Sequence, residues 1–342
     1  MALVCLMALP LSGCYYIGQG ARLLAAYGGA EEIDRALATE DLGEEERSLL
    51  LLVKDVRRFA VEDLGLAENR NYTTYKRIDS DHLATVVSAC PADSFRQYRW
   101  SYPVMGEMPY KGFFDKQGAV DEGRRLEAEG YDVLVRDVDA FSTLGFLTDP
   151  VFSYMKDYPV FSLAELLIHE QTHATVFPRP YVDFAENLGS FVGERGALAY
   201  LARRDGADSE SYRDGLDLIH DQAVYNGLLR DLRDRLEAVY GSGIPREGKL
   251  SSKAGVIAAW KAEFAASYGS SFRTRRYANV PRMKIDNAYL CTAMNYVGDL
   301  SVFERLFEKE GRDLPRMIAV VKKLAAEPGD PLAHVREYLG GE

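Results

Sequence analysis

The sequence predicts an α+β protein that is mostly α, with a small mixed sheet early in the chain and a helical C-terminal half. Two observations predict this class. Between residues 71 and 159, short runs rich in β-branched and aromatic residues alternate with turn residues, which is typical of strands. From residue 161 onward, apolar residues recur at three-to-four spacing, which is typical of amphipathic helices.

The composition is that of an ordinary globular protein. The chain has 342 residues, of which 47% are hydrophobic and 27% charged, so it can bury a large core in one domain or in two closely packed ones. Its formal net charge is −11. Because binding to phosphate backbones requires clustered Lys and Arg, this acidic balance argues against nucleic acid as the partner.

Residues 1–13 are predicted to be a lipoprotein signal peptide. The apolar run from Ala2 to Leu11 is too short to cross a bilayer as a helix. The segment 11–14, Leu-Ser-Gly-Cys, resembles the lipobox of bacterial lipoproteins, which implies that Cys14 becomes the lipidated first residue. Since no Lys or Arg precedes the run, an ordinary cleaved signal or a buried N-terminal helix remains the alternative. Tyr15 after the cysteine favours the periplasmic face of the outer membrane.

Residues 14–70 form the predicted N-terminal helical segment. Apolar residues recur at helical spacing through Leu49, Val53 and Phe59, with breaks at residues 28–29 and 41–43. No cluster of titratable side chains accompanies these helices. We therefore expect them to serve in packing or as a spacer.

Residues 71–160 form the predicted mixed α/β part. A helix is expected from Asp115 to Glu129. The predicted strands are Tyr72–Tyr75, Ala84–Val87, Arg99–Val104 and Tyr131–Val135. A further strand-like run, Val138–Phe146, ends near Asp149 and Pro150. Two interpretations of that run stay open, an edge strand that binds an extended substrate backbone or a buried strand without substrate contact.

Residues 161–342 form the predicted helical part. From residue 189 onward, the expected helices are Gly189–Arg203, Ser211–Tyr240, Ser252–Tyr268, Asn287–Glu310 and Leu314–Leu324. Beyond the N-terminal run the chain has two cysteines, Cys90 and Cys291, which form no disulfide framework. Whether they pair or remain buried free thiols stays open.

The helical part opens with a His-Glu-Xaa-Xaa-His motif at residues 169–173. On a helix, His169 and His173 lie one turn apart on the same face, which suits two ligands of one metal ion. Ser162 and Glu165 match a capping box, which predicts that the helix begins at that point. Pro178 and Pro180, just beyond the motif, end the helix soon after residue 176.

A catalytic zinc site needs three protein ligands and an open position for water, so a third donor must come from another element. Glu186 is the candidate. It lies in a second predicted helix, residues 183–192, which follows the proline-rich turn and can pack antiparallel to the first. That return places Glu186 opposite His169 and His173.

The motif and the glutamate that follows resemble the gluzincins, specifically their aminopeptidase N-like branch, in which the third ligand opens a Glu-Xaa-Xaa-Ala-Ser-aromatic pattern. This chain has Glu186-Asn187-Leu188-Gly189-Ser190-Phe191, and the gap of twelve residues after His173 is shorter than the usual gluzincin gap. More closely, the chain resembles the bacterial predicted-aminopeptidase lipoprotein family from residue 14 nearly to its end. That resemblance rests on the segments 71–75, 109–114, 130–133, 141–145, 169–173, 191–194 and 196–197.

The resemblance implies a zincin-like metallopeptidase domain over residues 71–342, with one zinc ion and a peptide substrate. His169, His173 and Glu186 would hold the zinc, and Glu170 would be the general base that takes a proton from the attacking water. Tyr296 matches a family tyrosine on a late helix and is the first candidate for stabilising the tetrahedral intermediate. His220 is the alternative.

Other side chains are candidates for supporting roles. Glu194 and Asn187, and also Asp183, lie near the third ligand in sequence and are candidates for orienting the ligand imidazoles. Glu107, in a predicted turn, is a candidate for binding the ammonium group of an aminopeptidase substrate.

The sequence therefore predicts a zinc-dependent peptidase of the cell envelope, specifically an aminopeptidase. Within enzymes, the alternative is an endopeptidase or amidase that acts on envelope peptides. From a different class, the alternative is a non-catalytic lipoprotein with a vestigial zinc site. The intact ligand set together with Glu170 argues against the last, because a binding protein has no need of a general base.

Overall fold

The computed structural model describes residue 22 and residues 25–39, 41–102, 106–138, 148–294, 298 and 300–341. It confirms the predicted class, an α+β fold that is mostly helical with small sheets. The signal peptide, Cys14, Tyr296 and nearly all of the strand-like run 138–146 lie outside the described residues. Within these residues, no helix combines the length and the apolar character needed to cross a bilayer.

The strands form three small sheets. They are β1 (Glu31–Glu32), β2 (Thr74–Lys76), β3 (Ala84–Pro91), β4 (Trp100–Tyr102), β5 (Gly106–Met108), β6 (Lys111–Phe113), β7 (Tyr131–Val138) and β8 (Val151–Phe152). One sheet has the order β1-β2-β8, in which β2 and β8 are parallel, and a second has the antiparallel order β6-β3-β7. The third pairs β4 with β5.

The predicted strands are present, with one local correction at Tyr72. The prediction placed Tyr72 in a strand, but β2 begins at Thr74, and Tyr72 adopts a left-handed backbone with φ of 57°. A buried non-glycine residue in that region is unusual and is stable only when its surroundings hold it. Here the Tyr72 N–H donates to the carbonyl of Asp149 at 2.6 Å.

Eleven α-helices occur among the described residues. They are α1 (Ile33–Ala38), α2 (Glu44–Glu62), α3 (Lys116–Ala128), α4 (Val160–Thr175), α5 (Val182–Asp205), α6 (Glu210–Gly241), α7 (Arg246–Ser271), α8 (Asn287–Met294), α9 (Ser301–Lys309), α10 (Leu314–Leu324) and α11 (Pro331–Leu339). The helix predicted between Asp115 and Glu129 is confirmed as α3. The single helix predicted from Asn287 to Glu310 is wrong, because two helices, α8 and α9, occupy that range.

The main hydrophobic core surrounds the helix that carries the motif. It unites apolar side chains of α2, α4, α5 and the last three helices, so the N-terminal helical segment packs into the same core as the motif. Two hydrogen bonds hold this segment to α4: the Ala67 N–H donates to the hydroxyl of Thr175 at 2.9 Å, and the Gln171 amide donates to the Ala67 carbonyl at 3.2 Å. Gln171 lies inside the motif, but its buried side chain points away from the histidines' solvent side and holds the N-terminal helical segment to α4.

A second core lies between α6 and α7. Trp260 and Phe264 of α7 are almost fully buried there, against Leu229 and Leu232 of α6. The structure joins Cys90 of β3 to Cys291 of α8 in a disulfide, which resolves the question that the sequence left open. The bridge ties the second core to the central strand of the β6-β3-β7 sheet.

Candidate metal centre

Helix α4 presents the motif histidines on its solvent side while its other side is buried. Leu163, Leu167 and Ile168 are at most 2% exposed, whereas the side chains of His169 and His173 are 21% and 15% exposed. The helix begins at Val160, two residues before Ser162, and no side chain caps its first turn. The predicted capping box is therefore wrong, because residue 162 already lies inside the helix.

The end of α4 agrees with the prediction. The helix stops at Thr175, and Val176 is extended. The chain then turns through a cis bond between Arg179 and Pro180 and enters α5 at Val182. Helix α5 is one continuous helix to Asp205, longer than the two separate runs predicted for this stretch.

Helices α4 and α5 pack antiparallel with their backbones close together. Glu186, early in α5, contacts the histidines near the end of α4. Gly193, two turns later in α5, lies against the backbone carbonyl of Glu165, which is two turns earlier in α4 than His173. A Cβ at Gly193 would approach that carbonyl to 3.0 Å, and a Cβ at Gly196 would approach Ile168 to 2.9 Å. The glycines therefore permit an approach that larger residues would prevent.

Three donor atoms converge between the two helices. The Nε2 atoms of His169 and His173 lie 2.9 Å apart, and their rings are nearly perpendicular at 88°. Glu186 places one carboxylate oxygen 3.4 Å from His169 Nε2 and the other 3.5 Å from His173 Nε2. The prediction that these three side chains come together therefore agrees with the geometry of the described residues.

This donor set fits a zinc ion. Ligands held about 2.0–2.2 Å from a tetrahedral ion lie roughly 3.4 Å from one another, close to the two nitrogen-to-oxygen separations. Two neutral imidazoles and one carboxylate also form a ligand set of known catalytic zinc sites, which leave a fourth position open. One feature departs from such sites: Nδ1 of His173 is buried without a partner among the described residues, whereas a ligand histidine usually donates from that second nitrogen.

The charges of the three side chains reinforce one another. The hydrogen bond with His169, and to a smaller extent the one with His173, holds the pKa of the Glu186 carboxyl well below its usual range. Burial acts in the opposite direction. Burial acts to lower the pKa of His169, but the hydrogen bond that its ring donates to Glu186 and the charge of Glu170 outweigh it, so the pKa is raised. The carboxylate form of Glu186, which a cation requires, is thus strongly favoured.

Gly189 sets the distance between the imidazoles and α5. A Cβ at this position would lie 3.0 Å from Cε1 of His169 and 3.0 Å from Cε1 of His173. Any larger residue must push both rings away from Glu186.

Glu170 faces a buried cluster that sequence reasoning missed. Burial raises the pKa of Tyr72 and of Asp149, and the charge of Glu170 contributes in the same direction, which places Glu170 near both groups. The Tyr27 hydroxyl donates to Asp149 at 2.8 Å. Tyr27, Tyr72 and Asp149 come from three separate regions of the chain, so no local spacing in the sequence connects them to the motif.

Asp149 is the carboxylic acid of this partly buried cluster. Burial, opposed by the hydrogen bond from Tyr27 and assisted by the charge of Glu170, raises its pKa to about 6. It sits just before β8 and the motif helix. In the sequence, this position is recognisable only as the end of a strand-like run.

The residues proposed to orient the ligands occupy different surroundings. The side chain of Asn187 packs against Gly298, where a Cβ would fall 1.5 Å from Asn187 Oδ1. Gly298 is two residues beyond Tyr296, which itself lies outside the described residues. Glu194 lies close to another carboxylate, Glu165, and no hydrogen bond among the described residues joins it to a ligand histidine. Burial, together with Glu165, raises the pKa of Glu194 to about 7.

Two further candidates occupy separate elements. His220 lies on α6, with Nδ1 3.2 Å from the buried carboxylate of Asp221, so that carboxylate fixes its ring orientation. Glu107 lies on the exposed strand β5, where its backbone carbonyl accepts from Arg99 at 3.5 Å. No contact among the described residues links Glu107 to the metal centre. Asp183 is exposed in the first turn of α5.

Helix α6 contacts both α4 and α5. Near its start, a Cβ at Gly215 would meet Phe161 of α4 at 2.9 Å and Leu198 of α5 at 3.0 Å. Farther along, the Arg230 guanidinium donates to the Gly298 carbonyl at 2.9 Å, and Gly298 lies against Asn187 of α5. Helix α6 therefore contacts α4 and α5 near Gly215 and reaches Gly298 through Arg230, and His220 lies between these two positions in the chain.

A family model described as "Putative aminopeptidase" matches residues 14–332, nearly the whole chain. No curated protein and no solved structure matches the chain.

Proposed function

The chain belongs to the putative aminopeptidase family, and from this premise we propose that it is a zinc-dependent aminopeptidase of the cell envelope. The observation that carries the proposal is the convergence of His169 Nε2, His173 Nε2 and the Glu186 carboxylate between two antiparallel helices. These are the donor types of a catalytic zinc site, and the two nitrogen-to-oxygen separations suit one. The family description supports peptidase chemistry, and the donor set supports the dependence of that chemistry on a metal ion.

In this mechanism, His169, His173 and Glu186 hold the ion. Zinc, when bound, supplies Lewis-acid chemistry, because it lowers the pKa of water toward neutrality and polarises a carbonyl oxygen. Glu170 is adjacent to His169 in sequence but is not part of the donor set. It takes the proton from the attacking water and delivers it to the nitrogen of the leaving amine.

Several residues of the chain support that step. The partly buried cluster of Tyr27, Tyr72 and Asp149 lies near Glu170, and the hydrogen bond from Tyr27 to Asp149 holds two of its members together. For the developing oxyanion, Tyr296 remains the first proposed donor; Gly298, two residues later in the chain, lies against Asn187, which follows Glu186 in sequence. His220, with its ring oriented by Asp221, is the second proposed donor.

The experiment that tests the function combines metal analysis with turnover. We expect one zinc per chain by elemental analysis, and chelator-sensitive hydrolysis of aminoacyl p-nitroanilides. Glu170→Gln should keep its zinc and lose at least about a hundredfold in kcat, because general-base catalysis contributes that much or more. Glu62→Gln, at the exposed end of α2, is the matched control and should keep both.

The same assay separates exopeptidase from other activities. An aminopeptidase requires a free substrate amine, so N-acetylated peptides should resist cleavage. Cleavage of blocked peptides would instead indicate an endopeptidase or amidase. Full zinc content without any hydrolysis would indicate a binding protein and contradict the proposal.

We also propose that the protein is anchored through lipid on Cys14 at the periplasmic face of the outer membrane. The lipobox-like segment 11–14 supports this proposal. Cells given radiolabelled palmitate should label the protein, and Cys14→Ser should abolish the label and move the protein to the soluble fraction. Unlabelled protein in the soluble fraction of wild-type cells would contradict the anchor.

A further inference from the structure

The turn that joins α4 to α5 exposes two apolar side chains, Phe177 and Val182. Phe177 is 41% exposed and Val182 is 49% exposed, whereas Val176 and Phe184, close to them in the chain, are each only 6% exposed. A single exposed apolar residue is common on a protein surface and needs no explanation. These two differ from that case because of where they lie relative to the metal centre.

Phe177 contacts one of the candidate metal ligands. The centroid of its ring lies 5.4 Å from that of His173, and the two ring planes meet at 87°. Aromatic rings attract each other at such distances and angles. The ring of the second histidine, His169, lies 4.6 Å from that of His173 by the same measure. Phe177 is therefore one ring removed from the donor atoms, and part of its surface is open to solvent.

Val182 borders the donor set from the other helix. It is the first residue of α5. Residues four and seven apart share one face of a helix, so Val182 lies on the face that carries Glu186 and Gly189. That face is directed at the imidazoles, since a Cβ at Gly189 would lie 3.0 Å from each ring. Val182 precedes Glu186 by four residues, about 6 Å along the helix axis.

Both side chains are presented by a structured turn. The Tyr181 N–H donates to the Pro178 carbonyl at 2.8 Å, and the Val182 N–H donates to the Pro180 carbonyl at 2.9 Å. Buried Val176 holds the start of the turn in the main core. A preformed surface loses little conformational entropy when it binds a ligand, so the two exposed side chains are suited to recognition.

We propose that Phe177 and Val182 form an apolar subsite for the substrate side chain next to the peptide bond that is cleaved. Successive Cα atoms of a peptide are about 3.8 Å apart, so the side chains on both sides of that bond lie close to the metal centre. The contact of Phe177 with His173 identifies the substrate, which must approach the same centre, as the occupant. The inference rests on the proposed peptidase function and names its substrate class, peptides with a large apolar residue beside the cleaved bond.

The apolar residue has two possible positions, before or after the cleaved bond. Trialanine, Leu-Ala-Ala and Ala-Leu-Ala distinguish them when release of the first residue is measured. For the zinc-loaded wild type, we expect a kcat/KM about tenfold higher for at least one leucine peptide than for trialanine, the low end of the roughly 10–200-fold effect of one methylene in a hydrophobic pocket. The low end applies because two side chains form an open wall and not an enclosed pocket. The preferred leucine peptide identifies the position.

Substitutions in the turn should remove this preference. Phe177→Ala should reduce it to about twofold, and the double variant Phe177→Ala, Val182→Ala should abolish it, because the apolar surface that the leucine side chain covers is lost. Phe177→Leu should retain most of it, since that variant keeps an apolar side chain. Ile244→Ala, in the turn between α6 and α7, is the matched control. It also removes an apolar side chain that is 41% exposed, and it should keep the full preference.

The ratio of kcat/KM values separates substrate binding from support of His173. If Phe177 only orients the imidazole, Phe177→Ala lowers kcat/KM for all three peptides by the same factor and the preference survives. That result would overturn the inference. Equal kcat/KM values for the three peptides in the wild type would overturn it as well.

A binding measurement separates this inference from the proposed function. Calorimetry with zinc-loaded Glu170→Gln measures peptide affinity without turnover. The dissociation constant should be about tenfold lower for at least one leucine peptide than for trialanine, and adding Phe177→Ala and Val182→Ala should remove the difference. If the wild type hydrolyses nothing, the peptidase function fails, but this affinity difference still decides whether Phe177 and Val182 bind an apolar side chain. Equal dissociation constants for the three peptides would contradict the subsite.

Discussion

At the residue scale, the metal centre depends on a position that has no side chain. Gly189 lies directly beneath both ligand imidazoles, at distances where a Cβ would contact each ring. The two histidines and Glu186 are recognisable from residue type and spacing. The role of Gly189 is not, because it depends on how closely α5 approaches α4, which no local pattern specifies.

Gly189→Ala should weaken zinc binding. The added methyl group pushes the rings of His169 and His173 away from Glu186, so we expect a loss of roughly 10–100-fold in zinc affinity, the range found for changes in residues that orient ligands. Competition with a chromophoric chelator measures the dissociation constant. Gly227→Ala on α6, where a Cβ meets open space, is the control. It should leave zinc affinity unchanged and stabilise the helix by about 0.5–1 kcal/mol.

Asp149 makes stability depend on pH. Burial raises its folded-state pKa to about 6, above the unfolded value near 3.8. A raised pKa means that the stabilising contribution is fully present below the unfolded value and is lost as the pH rises through about 6. Ionised Asp149 then faces Glu170 on α4, while Tyr27 donates to it and buried Tyr72 lies beside it.

Asp149→Asn should therefore gain stability relative to the wild type above pH 6, by up to about 3 kcal/mol, since one pKa unit is worth about 1.4 kcal/mol. Below about pH 4 the two proteins should be equally stable. Urea denaturation of the metal-free protein between pH 4 and 8 measures the difference without interference from zinc release. Asp79→Asn, an exposed carboxylate, is the control. A constant difference at every pH would contradict the assignment.

At the element scale, the helices and strands were largely predictable from periodicity, and the errors have local causes. The motif helix ends where Pro178 and Pro180 require it to end. Its start was misplaced because Ser162 and Glu165 match a cap pattern, yet the helix continues back to Val160 through contacts with the core. The left-handed conformation of Tyr72 was not predicted, because the residues that follow it, Thr73 to Tyr75, have strand propensity. The hydrogen bond from the Tyr72 N–H to the Asp149 carbonyl stabilises that conformation.

The pairing of Cys90 with Cys291 also lies at this scale, since it joins β3 to α8. Cys291→Ala should lower the free energy of unfolding by about 2–4 kcal/mol, because the bridge closes a long loop and so restricts the unfolded chain. Denaturant titration of protein purified under oxidising conditions measures the loss. A reductant should destabilise the wild type by a similar amount and leave Cys291→Ala unaffected. Two free thiols in the unreduced wild type would contradict the bridge.

At the scale of the whole molecule, the centre is assembled from distant parts of the chain. Residues near 27, 72 and 149 lie close to Glu170, and the N-terminal segment holds α4 through Ala67. The sequence identified the three donors because two of them share one helix and the third follows the next turn. It did not identify the surrounding groups, because their proximity depends on packing across the entire core.

Because α4 and α5 lie within the main core, zinc bound between them should stabilise the whole fold. A ligand that binds only the folded state adds about 2.7 kcal/mol of stability at a free concentration one hundred times its dissociation constant. We expect zinc to raise the free energy of unfolding of the wild type by about that amount at that concentration. Thermal and denaturant unfolding, with zinc buffered at known free concentrations, measure the increase.

Glu186→Ala provides the decisive comparison. This side chain is 40% exposed, so its removal creates no large cavity, but it deletes one of the three donors. The variant should remain folded without metal, and the zinc-dependent increase should vanish at the same free zinc concentration. Glu237→Ala on α6, which is 55% exposed, should keep the full increase. An equal increase in wild type and Glu186→Ala would mean that zinc binds elsewhere, and the centre between α4 and α5 would then not be the metal site.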